Sequence, residues 1–144
     1  MIAIDTNLLV YAHRVDSPWH DDALACVTTL ANSGSPWAIP WPCVHEFLAI
    51  VTHPKIYNPP TPMSKALATI EAWQASAQLR FIGEGPGYFE TLAKLAAAGK
   101  IVGPRIHDAR IAAICLHHGV KKLWTADRDF SAFPTLACVN PLSQ

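Results

Sequence analysis

Ile2-Ala3-Ile4-Asp5-Thr6-Asn7-Leu8-Leu9-Val10-Tyr11 lies at the start of the chain, and its reading decides the architecture. The apolar run Ile2 to Ile4, rich in β-branched side chains, makes a short buried strand. Asp5, Thr6 and Asn7 are short polar residues of the kind that cap a helix, and Leu8 to Ala12 follow as helical residues. A buried strand that passes directly into a capped helix is the first half of a β-α-β unit.

The same pattern recurs along the chain. Trp37-Ala38-Ile39 reads as a second strand, and Pro42 fits the first turn of a helix running to about Thr52. Leu79 to Ile82 is a third strand, followed by a helix from Pro86 to Ala98 that ends at Gly99. A helix from His107 to His118, closed by Gly119, precedes a fourth strand at Lys122 to Trp124, and Leu136 to Val139 supplies a fifth. Asp16-Ser17-Pro18 predicts a helix through about Ala31, with Leu24, Val27 and Leu30 on one face. Pro54, Pro59, Pro60 and Pro62 make His53 to Pro62 an extended loop, after which a helix carries Leu67, Ile70 and Trp73. Strands alternating with helices predict an α/β fold, a parallel sheet with helices on both faces, formed as a single domain over residues 1–144. In open sheets of this kind, sites form beyond the carboxyl ends of the strands.

Composition narrows the function. With 51% hydrophobic and 15% charged residues, disorder is excluded and charge is scarce. No apolar run approaches the ~20 residues of a membrane span, and the N-terminus has neither a basic n-region nor a small-residue cleavage site. The expectation is a soluble cytoplasmic protein without a membrane partner. Cys26, Cys43, Cys115 and Cys138 lack the close spacing of a zinc site; three of them lie in apolar helical or strand-like stretches and read as reduced, buried thiols. Net charge is zero, but Asp5, Asp16, Asp21, Asp22 and Glu46 oppose Arg14 in residues 1–50. Lys94, Lys100, Arg105, Arg110, Lys121, Lys122 and Arg128 oppose Asp108 and Asp127 in residues 94–128. A basic rim would suit a phosphate backbone, although an ordinary solvated surface accounts for it equally well.

Four carboxylates stand in apolar surroundings: Asp5, Glu46, Asp108 and Asp127. Taken singly, Asp5 is a helix cap, Asp108 a first-turn acid favoured by the helix dipole, and Asp127 a turn former. Glu46 resists such an explanation, because its helical neighbours Pro42, Cys43, Ala49 and Ile50 place it on an apolar stripe. Together the acids predict one shared divalent cation, since carboxylates packed within a few Å hold their charge only against a counter-charge. All-oxygen ligation favours Mg²⁺ or Mn²⁺, which activates water and offsets charge on a phosphoryl group.

Other catalytic patterns fail. His45-Glu46 would need a second His at the position of Ala49 for a zinc protease. Gly83-Glu84-Gly85-Pro86-Gly87 has Tyr88 where a dinucleotide loop needs glycine, and Asp5-Thr6-Asn7 lacks the second acid of an aspartyl-phosphate site. No nucleophile elbow is present, and His13, His20, His53, His117 and His118 read as surface or capping residues.

At Ile4-Asp5-Thr6-Asn7-Leu8-Leu9, the Glu46 helix, His107-Asp108-Ala109 and Thr125-Ala126-Asp127-Arg128-Asp129-Phe130, the sequence resembles the PIN-domain ribonucleases of the VapC toxin family. The resemblance runs from Met1 to about Val139. It implies a five-stranded parallel sheet and a Mg²⁺- or Mn²⁺-dependent endoribonuclease acting on RNA. It also implies a cognate antitoxin protein and a homodimer. Carried over by motif, Asp5, Asp108 and Asp127 are metal ligands and Glu46 completes the catalytic cluster. Thr6 orients Asp5, and Asp129 is an accessory acid. The loop from Pro54 to Pro62 departs from the family pattern. Trp19, Trp37, Trp41 and Tyr57 are candidate partner-facing residues, with core packing expected for at least half of them. A structure-specific DNA nuclease of the same fold, or a non-catalytic scaffold that binds RNA or protein, remains the alternative.

Overall fold

The computed structural model describes residues 1–142; residues 143–144 of the expected domain lie outside the described residues. Five strands, β1 (Ile2–Ile4), β2 (Trp37–Pro40), β3 (Leu79–Ile82), β4 (Lys122–Trp124) and β5 (Ala137–Val139), form one sheet in the order β3-β2-β1-β4-β5. Every pairing is parallel, with Ile2 opposite both Trp37 and Lys122. The chain moves outward from β1 to β3 and then returns past β1 to β4. The strand order therefore reverses between β1 and β4, where the two carboxyl ends leave a crevice.

Right-handed crossovers put α1 (Thr6–His13), α2 (His20–Ala31), α3 (Trp41–Val51) and α4 (Met63–Gln74) on one face. The return path puts α5 (Tyr88–Ala98) and α6 (Ile106–His117) on the other, packed against each other. Both faces are thus covered, and β1 and β2 are buried along almost their whole length. Helix α6 buries Ala109 and every residue from Ile111 to Cys115. Its alanines let the backbone approach the sheet closely, which places the first turn of α6 over the crevice. On the opposite face Phe47 of α3 is wholly buried against Trp73 of α4 and His13 of α1, which ties three helices together.

Several sequence expectations are corrected. The helix expected from Asp16 begins only at His20. The Asp16 carboxylate instead accepts from Arg14 at 2.6 and 2.9 Å, and the Ser17 hydroxyl accepts from the Trp19 N–H, so the polar residues hold a turn. The helix expected from Pro86 starts at Tyr88, after Gly87 at φ 90°. Trp37 is 2% exposed inside β2 and is core, not a partner-facing residue. Tyr57 is half-buried beneath the Arg14 guanidinium, whereas Trp19 and Trp41 are exposed. Lys121 and Lys122 stand at the amino end of β4, so the basic rim does not extend through them to the strand-end crevice. Among the described residues no helix is long and apolar enough to cross a membrane.

Candidate active site: an acidic crevice between β1 and β4

Asp5 is the residue at which β1 becomes α1. It is 4% exposed, and both its oxygens are engaged. Oδ1 accepts from the Thr6 N–H at 2.8 Å and faces the Cys43 thiol at 3.5 Å; Oδ2 accepts from the Thr125 hydroxyl at 2.7 Å. Burial nevertheless holds the Asp5 pKa above the ordinary carboxylate value, with the nearby Glu46 charge acting in the same direction. The Thr125 hydroxyl, while donating to Asp5, accepts from the Asp127 N–H at 2.9 Å. One buried side chain thus couples the end of β1 to the residue that follows β4. Asn7 adds a second tie, its Oδ1 accepting from the Ala126 N–H at 3.3 Å.

Asp127 caps the 3-10 turn Arg128–Ala132 by accepting from the Asp129 N–H at 2.9 Å. Phe130 and Phe133, each 1% exposed, anchor that turn in the core. With the turn pinned, Asp127 and Asp129 both face Asp108 in the first turn of α6. One carboxylate oxygen from each of Asp108, Asp127 and Asp129 lies within 4.8 Å of the others. Asp5 is outside this group of three and sits behind it. Burial, followed by the charges of Asp127, Asp129, Asp5 and Glu46, pushes the Asp108 pKa up to about 6.

Glu46 occupies a different setting from the one its neighbours predicted. It is exposed at the rim, because α3 turns Cys43, Val44, Phe47 and Val51 inward and leaves Glu46 and Ala49 outside. Apolar neighbours on a helix do not by themselves define the buried side. The Thr6 hydroxyl donates to Glu46 Oε2 at 2.9 Å, so Thr6 orients Glu46 with its side chain and Asp5 with its backbone N–H. The part played by Thr125 was missed in the sequence. Its signal is a hydroxyl two residues before an acid at a strand end, a local turn pattern. Of the cysteines, Cys43 and Cys115 are buried and Cys26 and Cys138 partly so; burial raises all four thiol pKa values, that of Cys138 to about 11. They stay protonated thiols near neutral pH.

What this arrangement could hold follows from its donors. The group of three offers only carboxylate oxygen, with neither imidazole nor thiolate in it. Hard oxygen donors suit Mg²⁺ or Mn²⁺ better than zinc. A cavity of about 480 Å³ lies on the β4–β5 side; Asp127 is the only one of the acids in its wall, which otherwise includes Phe130, Phe133, Pro134 and Leu136.

The family model for the PIN domain matches residues 2–136. "Ribonuclease VapC48" of Mycobacterium tuberculosis is 32% identical over 140 residues, covering 96% of each chain. This chain is a PIN domain of the VapC ribonuclease family. "Ribonuclease VapC43" of the same organism is 31% identical over 142 residues, covering 99% of this chain and 96% of the relative. VapBC2 from Rickettsia felis, solved bound to a DNA fragment from its promoter, superimposes with TM-score 0.70 at 19% identity over 96% of this chain and 98% of that one. VapC20 of Mycobacterium tuberculosis, described as a sarcin-ricin loop cleaving toxin, gives TM-score 0.66 at 16% identity over 92% and 94%. The PIN fold is the one the sequence predicted.

The raised Asp108 pKa sets a pH dependence. Between the ordinary value of 3.8 and about 6, folded Asp108 holds a proton that the unfolded chain has released. Stability from this group is therefore lost as pH rises through about 6. His13, whose pKa burial lowers, works in the opposite sense below its ordinary 6.5, so the wild type alone does not isolate the effect. In chelator, the melting temperature of Asp108→Asn minus that of the wild type is expected to grow from pH 5 to pH 7. A flat difference across that range would contradict a raised Asp108 pKa.

Proposed function

We propose that this protein is a metal-dependent endoribonuclease, the toxin of a toxin–antitoxin pair, acting on RNA phosphodiester bonds in the cytoplasm. The observation that carries this reading is the meeting of Asp108, Asp127 and Asp129 oxygens within 4.8 Å beside the buried Asp5. Family membership supports it, since relatives matched over nearly their whole length are named ribonucleases.

In this reading Asp108 and Asp127 would hold Mg²⁺ or Mn²⁺ with Asp5 behind them, and Asp129 would supply a further oxygen. A divalent ion so held would activate water and offset charge on the phosphoryl oxygens. Asp5 serves through both its charge and its connections, since Thr125 links its position to that of Asp127. Glu46, exposed at the rim and accepting from the Thr6 hydroxyl, would take the proton of an attacking water. Direct attack of water on phosphorus requires no 2′-hydroxyl chemistry; with the 3′-oxygen as leaving group, the products carry a 5′-phosphate and a 3′-hydroxyl. A cognate antitoxin that covers the crevice, and a homodimer, complete the proposed assembly.

Labelled RNA, single-stranded DNA and flap DNA, incubated with the purified protein and Mg²⁺ or Mn²⁺, test the reading. RNA should be cut, cutting should stop in chelator, and the new 5′ end should be phosphorylated. Preferential cleavage of DNA, or RNA cleavage that persists in chelator, would overturn it.

A further inference from the structure

We propose that Trp41 and His45 form a stacking platform for an unpaired nucleobase next to the phosphate held at the acidic crevice, so that substrates must be single-stranded there. The proposal rests on the ribonuclease reading and deepens it.

Trp41 is the first residue after β2, and β2 lies beside β1, whose end carries Asp5. Neighbouring strands are ~4.8 Å apart, so the Trp41 backbone starts one strand spacing from the end of β1, where Asp5 lies, and two from the end of β4, where Asp127 lies. Trp41 and His45 are four residues apart on α3 and share a face; Glu46 is the next residue. The Trp41 ring stacks on Phe81 of β3 with centroids 4.8 Å apart at 25°, and the His45 ring lies 6.4 Å from Trp41 at 26°. The Trp41 ring is thus stacked within 26° of each of the other two. Phe81 is half-buried, yet Trp41 keeps 37% of its surface exposed and His45 is exposed too. Other large exposed aromatics, Trp19 and Phe89, join no ring stack among the described residues.

Electrostatics bear on the occupant. Without a bound cation the acidic crevice repels a phosphate backbone, and of the nearby cations only Arg128, exposed beside Asp127, is free of a salt bridge or carbonyl contact among the described residues. Arg110 is committed to Glu84 at 2.8 Å, Arg105 reaches the Asp129 carbonyl, and Lys121 and Lys122 sit at the other end of the sheet. An uncharged base is not repelled by Glu46 or Glu84, and stacking on aromatic rings accepts any base. A paired base has its faces covered by its neighbours and could not use the platform.

The test measures binding of a short unstructured RNA by fluorescence anisotropy in Asp108→Asn, in which cutting is slowed enough for binding to be read, and cleavage in the otherwise wild-type protein. Trp41→Ala and His45→Ala should each weaken binding, Trp41→Ala by about tenfold, while Trp41→Phe retains most of it. An abasic site next to the cleaved bond should cost the wild type a similar factor and cost Trp41→Ala nothing further. Annealing the complementary strand should abolish cleavage. If Trp41→Ala and His45→Ala proteins that fold normally bind and cut RNA as the wild type does, the platform is refuted while the ribonuclease reading stands. The same holds if Trp41→Ala weakens only the grip of a protein partner. Absence of RNA binding and cleavage in every form would instead remove the ribonuclease reading and the platform with it.

Discussion

Asp108→Asn is expected to lower RNA cleavage by on the order of 10²–10³, the size of effect seen when one group stabilising transition-state charge is removed. It should also raise the metal-free melting temperature near neutral pH. Both effects follow from one feature. Asp108 sits half-buried among Asp127, Asp129, Asp5 and Glu46, and near pH 7 its charge is held against burial and against theirs. Replacing it with an isosteric amide removes that repulsion and, with it, an oxygen donor of the cluster. Added Mn²⁺ should raise the melting temperature of the wild type, because a ligand bound only by the folded state stabilises it by mass action. In Asp108→Asn that increment should largely vanish. A variant that still cut RNA at the wild-type rate would remove Asp108 from the site, whatever its melting behaviour.

Asp5 should separate by substituent. Asp5→Ala leaves the Thr6 N–H, the Thr125 hydroxyl and the Cys43 thiol without their acceptor in a region that water does not reach. Each stranded polar donor costs about 1–3 kcal/mol, so a net loss of roughly 2–4 kcal/mol is expected after the relief of a buried charge. Asp5→Asn keeps the shape and an oxygen for the Thr6 N–H, and it removes the charge that burial disfavours. Its metal-free stability should therefore equal or exceed that of the wild type. Activity should fall by about 10² or more in both variants, because the amide must face the Thr125 hydroxyl and disturbs the link to Asp127. Urea unfolding beside RNA cleavage measures the two effects. Equal destabilisation by Ala and Asn would show that Asp5 contributes through its charge rather than as a hydrogen-bond acceptor.

The fold was legible because its signals are local. Ile2 to Ile4, Trp37 to Ile39, Leu79 to Ile82 and Lys122 to Trp124 are short apolar runs bounded by caps and turn residues, and each is a strand. The failures were also local in origin. Asp16-Ser17-Pro18 has the composition of a helix start, but an ion pair with Arg14 uses the Asp16 carboxylate for a turn. The stripe around Glu46 was inferred from neighbours that α3 divides between its buried and exposed sides.

By itself the sequence determined that strands and helices alternate, and that acids follow β1 and β4 and open α6. These depend on side-chain size, branching and capping within a few residues. Only the tertiary structure decided which carboxylates meet. That Asp129 joins Asp108 and Asp127 depends on Phe130 and Phe133 being pinned in the core. That Asp5 lies behind them depends on the strand order bringing Thr125 across from β4. Thr6 turns its hydroxyl to Glu46 because α1 and α3 pack side by side. Such partners lie 40 and 120 residues apart. No local pattern records that separation; packing the two faces of the sheet closes it.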